Sequence, residues 1–153
     1  FQGEKIDKAS SVAMGSLNKI TRFVDDLLPT QKEEKEIREY VGEELSRLDI
    51  GKQKLVLGVG GTNRGCLKLY NDFYKLNSQN VEMECEKIRA MFEKIRSGKK
   101  GGMTRILKIV PDRVHTMIPG MIILDEINRR YKCKKVQVSA FGVREGYLIE
   151  QLL

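Results

Sequence analysis

The chain has 153 residues, 41% of them hydrophobic and 32% charged, the balance of one globular domain able to bury a core of its own. No apolar run approaches the roughly 18 residues of a membrane span, and no stretch reads as a signal peptide. Three widely spaced cysteines (Cys66, Cys85, Cys133) exclude a disulfide framework and a zinc cluster and point to reduced thiols in the cytoplasm, while the formal charge of +7 favours polyanionic partners.

Phe1-Gln2-Gly3 matches the end of a tag-protease site and equally suits a native hairpin; both readings stand. Residues 1–14 read as extended. From Ser16 to Leu28, Leu17, Ile20, Val24 and Leu27 recur at helical spacing up to Pro29. Thr30 with Glu33 three residues on forms a capping-box pattern, and the helix behind it aligns Ile37, Tyr40, Val41, Leu45 and Leu48. Asp49-Ile50-Gly51 reads as the turn that ends it. Leu55, Val56 and Leu57 form a continuous apolar run, which predicts a strand buried on both faces.

Thr62 is a candidate cap for the next helix, which carries Cys66, Leu69, Tyr70 and Phe73. Val81, Cys85, Ile88, Phe92 and Ile95 step by four and three and predict one amphipathic helix. A basic, glycine-rich loop (97–103) leads into a short helix that stops before Pro111. Met117 to Tyr131 predicts a buried helix starting near Pro119; Lys135 to Ser139 alternates as a strand, and Val143 to Leu152 closes as a helix. Strands separated by long helical stretches imply an α/β domain with a small, partly parallel sheet and flanking helices. Two or three strands are few for an independent sheet, which suggests one part of a larger protein.

The stretch "LVLGVGGTNRG" (55–65) places Gly58, Gly60 and Gly61 between a strand and a helix. Glycines there serve a tight turn, or let the backbone approach an anion that the following helix start also attracts. The spacing is neither a P-loop nor the dinucleotide G-x-G-x-x-G. His115, the single histidine, has no Cys or His neighbour and reads as surface or structural. In "FGVREG" (141–146), Arg144 and Glu145 fall in a first helical turn, where an ion pair fixing the turn and an arginine beside an anion site are the two readings. Two basic clusters, Arg96 to Lys108 and Arg129 to Lys135, lack interleaved aromatics and read as solvated surface; nucleic acid is an unlikely partner.

Four segments in one order, "VAMGSLNKITRF", "LVLGVGGTNRG", "PDRVHTMIPGMIILDEI" and "VQVSAFGVREGYLIEQLL", resemble the second actin-like domain of the exopolyphosphatase and guanosine-pentaphosphate phosphohydrolase (Ppx/GppA) family. The match runs from about Met14 to the C-terminus. The resemblance implies one domain, residues 1–153, of the actin-like ATPase and sugar kinase (ribonuclease H-like) superfold. It further implies the C-terminal half of an enzyme that removes terminal phosphate from inorganic polyphosphate or from pppGpp, with magnesium, in a cleft between two domains.

The family's upstream phosphate loops and its glutamate for catalysis have no counterpart in these residues. The resemblance therefore implies a missing N-terminal domain, no metal ligands here and no activity alone. Gly58, Gly60, Gly61 and Thr62, with Arg64 beside them, match the phosphate-binding loop facing the cleft; Asp112, Arg113, Arg144 and Glu145 match motif positions whose role is mainly structural or in the cleft. Gly65 stands where a small apolar residue is expected and His115 where an acidic or small one is. The alternative is a non-enzymatic nucleotide- or polyanion-binding module on the same half-fold. A kinase of the superfold fits "DR" and "REG" less well. Monomer and homodimer both stay open.

Overall fold

The computed structural model describes residues 8–12, 14, 28–97 and 101–152. The helix expected over Ser16–Leu28 lies outside the described residues except for Leu28, as do residues 1–7 of the expected extended segment, whose residues 8–12 and 14 form no regular element.

The first element, α1 (Gln31–Ser46), begins as the sequence predicts. Thr30 Oγ1 accepts from the Glu33 amide at 3.2 Å, and Glu33 Oε2 accepts from the Thr30 amide at 2.6 Å. Such a cap contributes about 1 kcal/mol. Ile37, Val41 and Leu45 are buried along one stripe, with Glu34 beside them.

Three strands form the sheet: β1 (Leu55–Gly58), β2 (Glu82–Glu84) and β3 (Lys135–Val138), in the order β1-β3-β2. β1 runs parallel to β3, with Leu55 opposite Lys135 and Gly58 opposite Val138; β2 runs antiparallel to β3. The strand β2 corrects the single helix expected from Val81, because Glu82-Met83-Glu84 alternates exposed, buried, exposed before α3 (Cys85–Arg96) starts. The helical spacing of Val81 and Cys85 hid a period-two signal.

β1 also differs from the expected strand buried on both faces. It lies at the sheet edge, and Leu55 and Leu57 are 48% and 57% exposed. One face of the sheet carries Met83, Val136 and Val138 into the core; the other, with Leu55, Leu57, Gln137 and the Lys135–Glu82 ion pair, lies open.

Between β1 and β3 the chain forms α2 (Gly61–Tyr74), α3, α4 (Gly102–Ile109), a 3₁₀ turn (Pro111–Arg113) and α5 (Val114–Tyr131). α5 is the central helix, in contact with α1, α2, α3 and α4. It starts five residues before Pro119, which lies inside it. Proline inside a helix forgoes its own amide bond, so Pro119 does not mark the start; Pro111 and its 3₁₀ turn mark the entry. Gly102 is required where α4 meets α3: a Cβ there would lie 2.7 Å from the Ile95 carbonyl oxygen.

The last helix, α6 (Val143–Leu152), buries none of its residues. All three cysteines are free and buried, and burial pushes the Cys66 thiol up to about 12 and the Cys85 thiol up to about 11. Among the described residues no helix is long and apolar enough to cross a membrane.

Candidate anion site at two helix starts

β1 ends at Gly58, and the chain turns into α2 through Gly60, whose φ of +96° suits glycine. Gly60 is the N-cap, so no side chain satisfies the amides that follow. The first intrahelical bond runs from the Arg64 amide to the Gly60 carbonyl at 3.1 Å, which leaves the amides of Gly61, Thr62 and Asn63 without an acceptor in the helix. Thr62 lies inside the first turn rather than capping it, and its methyl group fills the space that the missing Cβ of Gly120 leaves. Asn63 folds back: its Nδ2 donates to the Val59 carbonyl at 3.0 Å, and its side chain lies 2.7 Å from where a Gly58 Cβ would be.

The adjacent parallel strand makes the second helix start. The Ser139 amide donates to the Gly58 carbonyl at 2.9 Å, which extends the β1–β3 pairing beyond the strands. The Gly142 amide then donates to Glu145 Oε2 at 2.6 Å, and the Gly146 amide donates to the Gly142 carbonyl as the first bond of α6. Glu145 therefore fixes this turn through a backbone amide and not through an ion pair with Arg144. Hydrogen bonds from its own amide and from Gly142 hold the Glu145 carboxyl below its ordinary value, with smaller help from Arg144 and Arg64. Arg64 bridges the two starts, with Nη1 3.5 Å from the Ala140 carbonyl oxygen.

Arg113 comes from the 3₁₀ turn and lies across α2. Its guanidinium occupies the space that a Cβ on Gly61 would take, and its Cδ lies 3.4 Å from a Cβ position on Gly65, beside Met117 Sδ at 3.3 Å. Gly61 and Gly65, one turn apart, thus form a notch that seats an arginine over the first turn of the helix. Arg64, Lys68 and Arg113 line the same depression, of about 280 Å³, with Asp112 exposed at its edge. Gly60, Gly61, Arg64 and Arg113 meet around the start of α2, Arg144 and Glu145 lie at the start of α6, and Gly58 and Thr62 turn inward on packing contacts.

Charge sets this rim apart. Among the described arginines, Arg38, Arg47, Arg89, Arg96, Arg105 and Arg129 each pair with a carboxylate, whereas Arg64, Arg113, Arg130 and Arg144 pair with none of the described carboxylates. Three of those four stand at the two helix starts. The first turns of α1, α3 and α6 hold glutamates that complement the helix dipole; those of α2, α4 and α5 hold no acidic residue. Positive ends of helices and guanidinium groups without a described carboxylate partner, at the C-terminal ends of parallel strands, are chemistry that suits an anion.

Among the described residues no three His, Cys, Asp or Glu side chains converge, and His115 is exposed. Carboxylate oxygens are the side-chain donors magnesium prefers. Glu145 is committed to an amide and Asp112 stands alone, so these residues do not fit a protein-held magnesium ion. Sequence reasoning marked Gly65 only as a departure from the expected pattern and missed it as a seat for Arg113, and it missed Lys68 and Gly120. The small-residue spacing Gly61-x-x-x-Gly65 and the like-charged pair Arg64-x-x-x-Lys68 are the signals that could have found the first two.

Residues 1–153 match the Ppx/GppA phosphatase family. Two crystal structures of the Aquifex aeolicus Ppx/GppA family member are similar to this chain, at 23% identity with a TM-score of 0.81 and 22% identity with a TM-score of 0.80. They cover 98% and 97% of this chain and 50% and 51% of their own. An exopolyphosphatase from Cytophaga hutchinsonii is similar at 14% identity, with a TM-score of 0.79, covering 97% of this chain and 51% of its own. The chain thus spans about half the length of the solved structures it matches and shares the fold of one domain of their actin-like ATPase architecture. A search of curated proteins finds no match.

Proposed function

Because this chain belongs to the Ppx/GppA phosphatase family, we propose that it is the second domain of a cytoplasmic phosphatase that hydrolyses terminal phosphate from inorganic polyphosphate or pppGpp. The observation that carries this reading is the pair of helix starts ringed by Arg64, Arg113 and Arg144, none paired with a carboxylate among the described residues.

Chemically, the rim is one wall of a cleft. Free amides of α2 and the guanidinium groups neutralise phosphate oxygens and orient the terminal group. Hydrolysis also needs a carboxylate that positions water, and a metal that offsets the developing charge. No described carboxylate at this rim is free and supported for the first task, and its donor set does not fit the second. We assign both to the other domain, with magnesium held there or by the substrate's own oxygens.

Two measurements test the reading on the 153-residue chain. With magnesium and polyphosphate, no catalytic release of phosphate is expected; turnover by the pure chain would overturn the assignment to the other domain. Tripolyphosphate should bind weakly, lose affinity as salt rises, and bind at least about tenfold more weakly in Arg64→Ala and Arg113→Ala. Binding indifferent to both arginines would remove the rim from the site.

A further inference from the structure

Charge gathers at a second place, at the opposite ends of the same two strands. β1 and β3 enter the sheet together: the Lys54 carbonyl accepts from the Lys134 amide at 3.1 Å and from the Lys135 amide at 3.4 Å. Just before them, the Gln53 amide donates to the Tyr131 carbonyl at 2.8 Å. These bonds set Lys52 and Lys54 beside Arg130, Lys132 and Lys134, on the end of the domain away from the rim. All five are exposed, and none pairs with a described carboxylate. Their neighbours Lys135 and Arg129, by contrast, bond Glu82 at 3.0 Å and Glu126 at 2.7 Å. Asp49, an exposed acid at this end, is held by Lys8 at 2.8 Å, a bond that keeps its carboxyl below its ordinary value.

Cations near the C-terminal end of α5 complement its dipole, which accounts for Arg130 and Lys132. Lys52, Lys54 and Lys134 lead into strands, where sheet dipoles are too small to call for them. Beside them stands an apolar tip. A bond from the Ile50 amide to the Leu48 carbonyl at 3.0 Å closes the turn after α1 and leaves Ile50 40% exposed, two residues before Lys52. The tip stands clear of the domain: a Cβ on Gly51 would meet no atom within 4 Å.

We infer that this end of the domain docks on an anionic lipid surface, with the five cations at the headgroups and Ile50 in the interface. The inference stands apart from the rim and its substrate. A lipid surface calls for several cations on one side with a little apolar area among them, and gives roughly fivefold in affinity per lysine or arginine. A single-stranded nucleic acid calls for aromatic rings, and the described tyrosine at this end, Tyr131, is buried. A duplex binds through its phosphates and has no use for Ile50. Docked this way, the domain turns its rim away from the lipid, because the rim and these lysines lie at opposite ends of β1 and β3.

The test is co-sedimentation of the chain with vesicles of phosphatidylcholine alone, or with about one-third phosphatidylglycerol, beside titration of a short DNA duplex. The wild type should bind the anionic vesicles and not the neutral ones, and lose affinity as salt rises. Lys52→Ala/Lys54→Ala/Lys134→Ala should bind them roughly a hundredfold more weakly, and Ile50→Ser roughly threefold more weakly. All four side chains are exposed, so both variants should fold, which far-UV circular dichroism checks. Lys94→Ala/Lys108→Ala, which removes exposed cations from α3 and α4, should bind nearly as the wild type does.

No binding to the anionic vesicles, equal binding to the neutral ones, an unaffected triple variant, or an equal loss per charge in Lys94→Ala/Lys108→Ala overturns the face. A duplex bound more tightly than the vesicles, with Ile50→Ser indifferent on both, assigns the face to nucleic acid and overturns the lipid.

Discussion

Two regions of this molecule gather arginines, and they treat them oppositely. Where α1, α3 and α5 meet, Glu34, Asp125 and Glu126 are buried. Arg38 bonds Glu34 and Asp125, each at 2.8 Å; Arg89 bonds Asp125 at 2.9 Å; Arg96 bonds Glu34 at 3.0 Å; Arg129 bonds Glu126 at 2.7 Å. At the starts of α2 and α6, Arg64, Arg113 and Arg144 have no carboxylate within ion-pair distance among the described residues, and a glycine notch seats one of them. Charge in the first region is balanced inside the protein and ties three helices together. In the second no described carboxylate balances it.

The largest expected effect breaks the first region. Asp125→Ala removes the acceptor that Arg38 and Arg89 share; Arg38 keeps Glu34 and Arg89 is half exposed, so it should cost about 1–3 kcal/mol, read as a drop in the urea midpoint. A loss well below that would mean water or Glu126, whose Oε2 lies 3.5 Å from Arg38, takes over. At the rim, Gly61→Ala should weaken tripolyphosphate binding by displacing Arg113, while Arg113→Ala leaves stability unchanged or slightly raised, since it removes a cation from a positive helix end. In a double-mutant cycle the two should couple by about 1 kcal/mol. Additive effects would instead assign Gly61 a role of its own, as bare backbone facing the anion.

The smallest effect is the pH dependence of the α6 start. Glu145 titrates below its ordinary value in the folded chain, so its contribution is fully present above the unfolded value, near 4.5, and is lost as pH falls through the lowered one. The Gly142 amide resonance should move over that acidic window and stay still in Glu145→Gln. An unmoved resonance in the wild type would mean the carboxylate does not hold this turn.

Much of this contrast was legible in the sequence where local chemistry decides the outcome. The Thr30–Glu33 capping box, the apolar stripe of α1, the strand-glycine-helix junction at Gly58 to Gly61 and the bounds of α6 depend on neighbours in the chain. What was hidden depends on partners far away. Nothing in "LVL" reveals that β1 would stand at an edge, because edge and centre differ only in which strands lie beside them. Arg38 and Arg113 look alike in sequence; one meets Asp125 and the other Gly61, each across the core helix α5 or its entry. Gly65, out of place beside its relatives' pattern, makes sense once Arg113 and Met117 are seen against it.

The pairing of β1 with β3 also fixes when this rim can exist. The two helix starts lie side by side only because Gly58 faces Val138, and all of α2 to α5 intervenes between those strands. Contacts that distant in sequence carry the closure entropy of all the chain between them. A partly folded chain therefore carries the same arginines without the geometry that gathers them. An anion that recognises the rim binds the finished structure alone, and so holds it against unfolding by an amount that grows with the logarithm of its concentration.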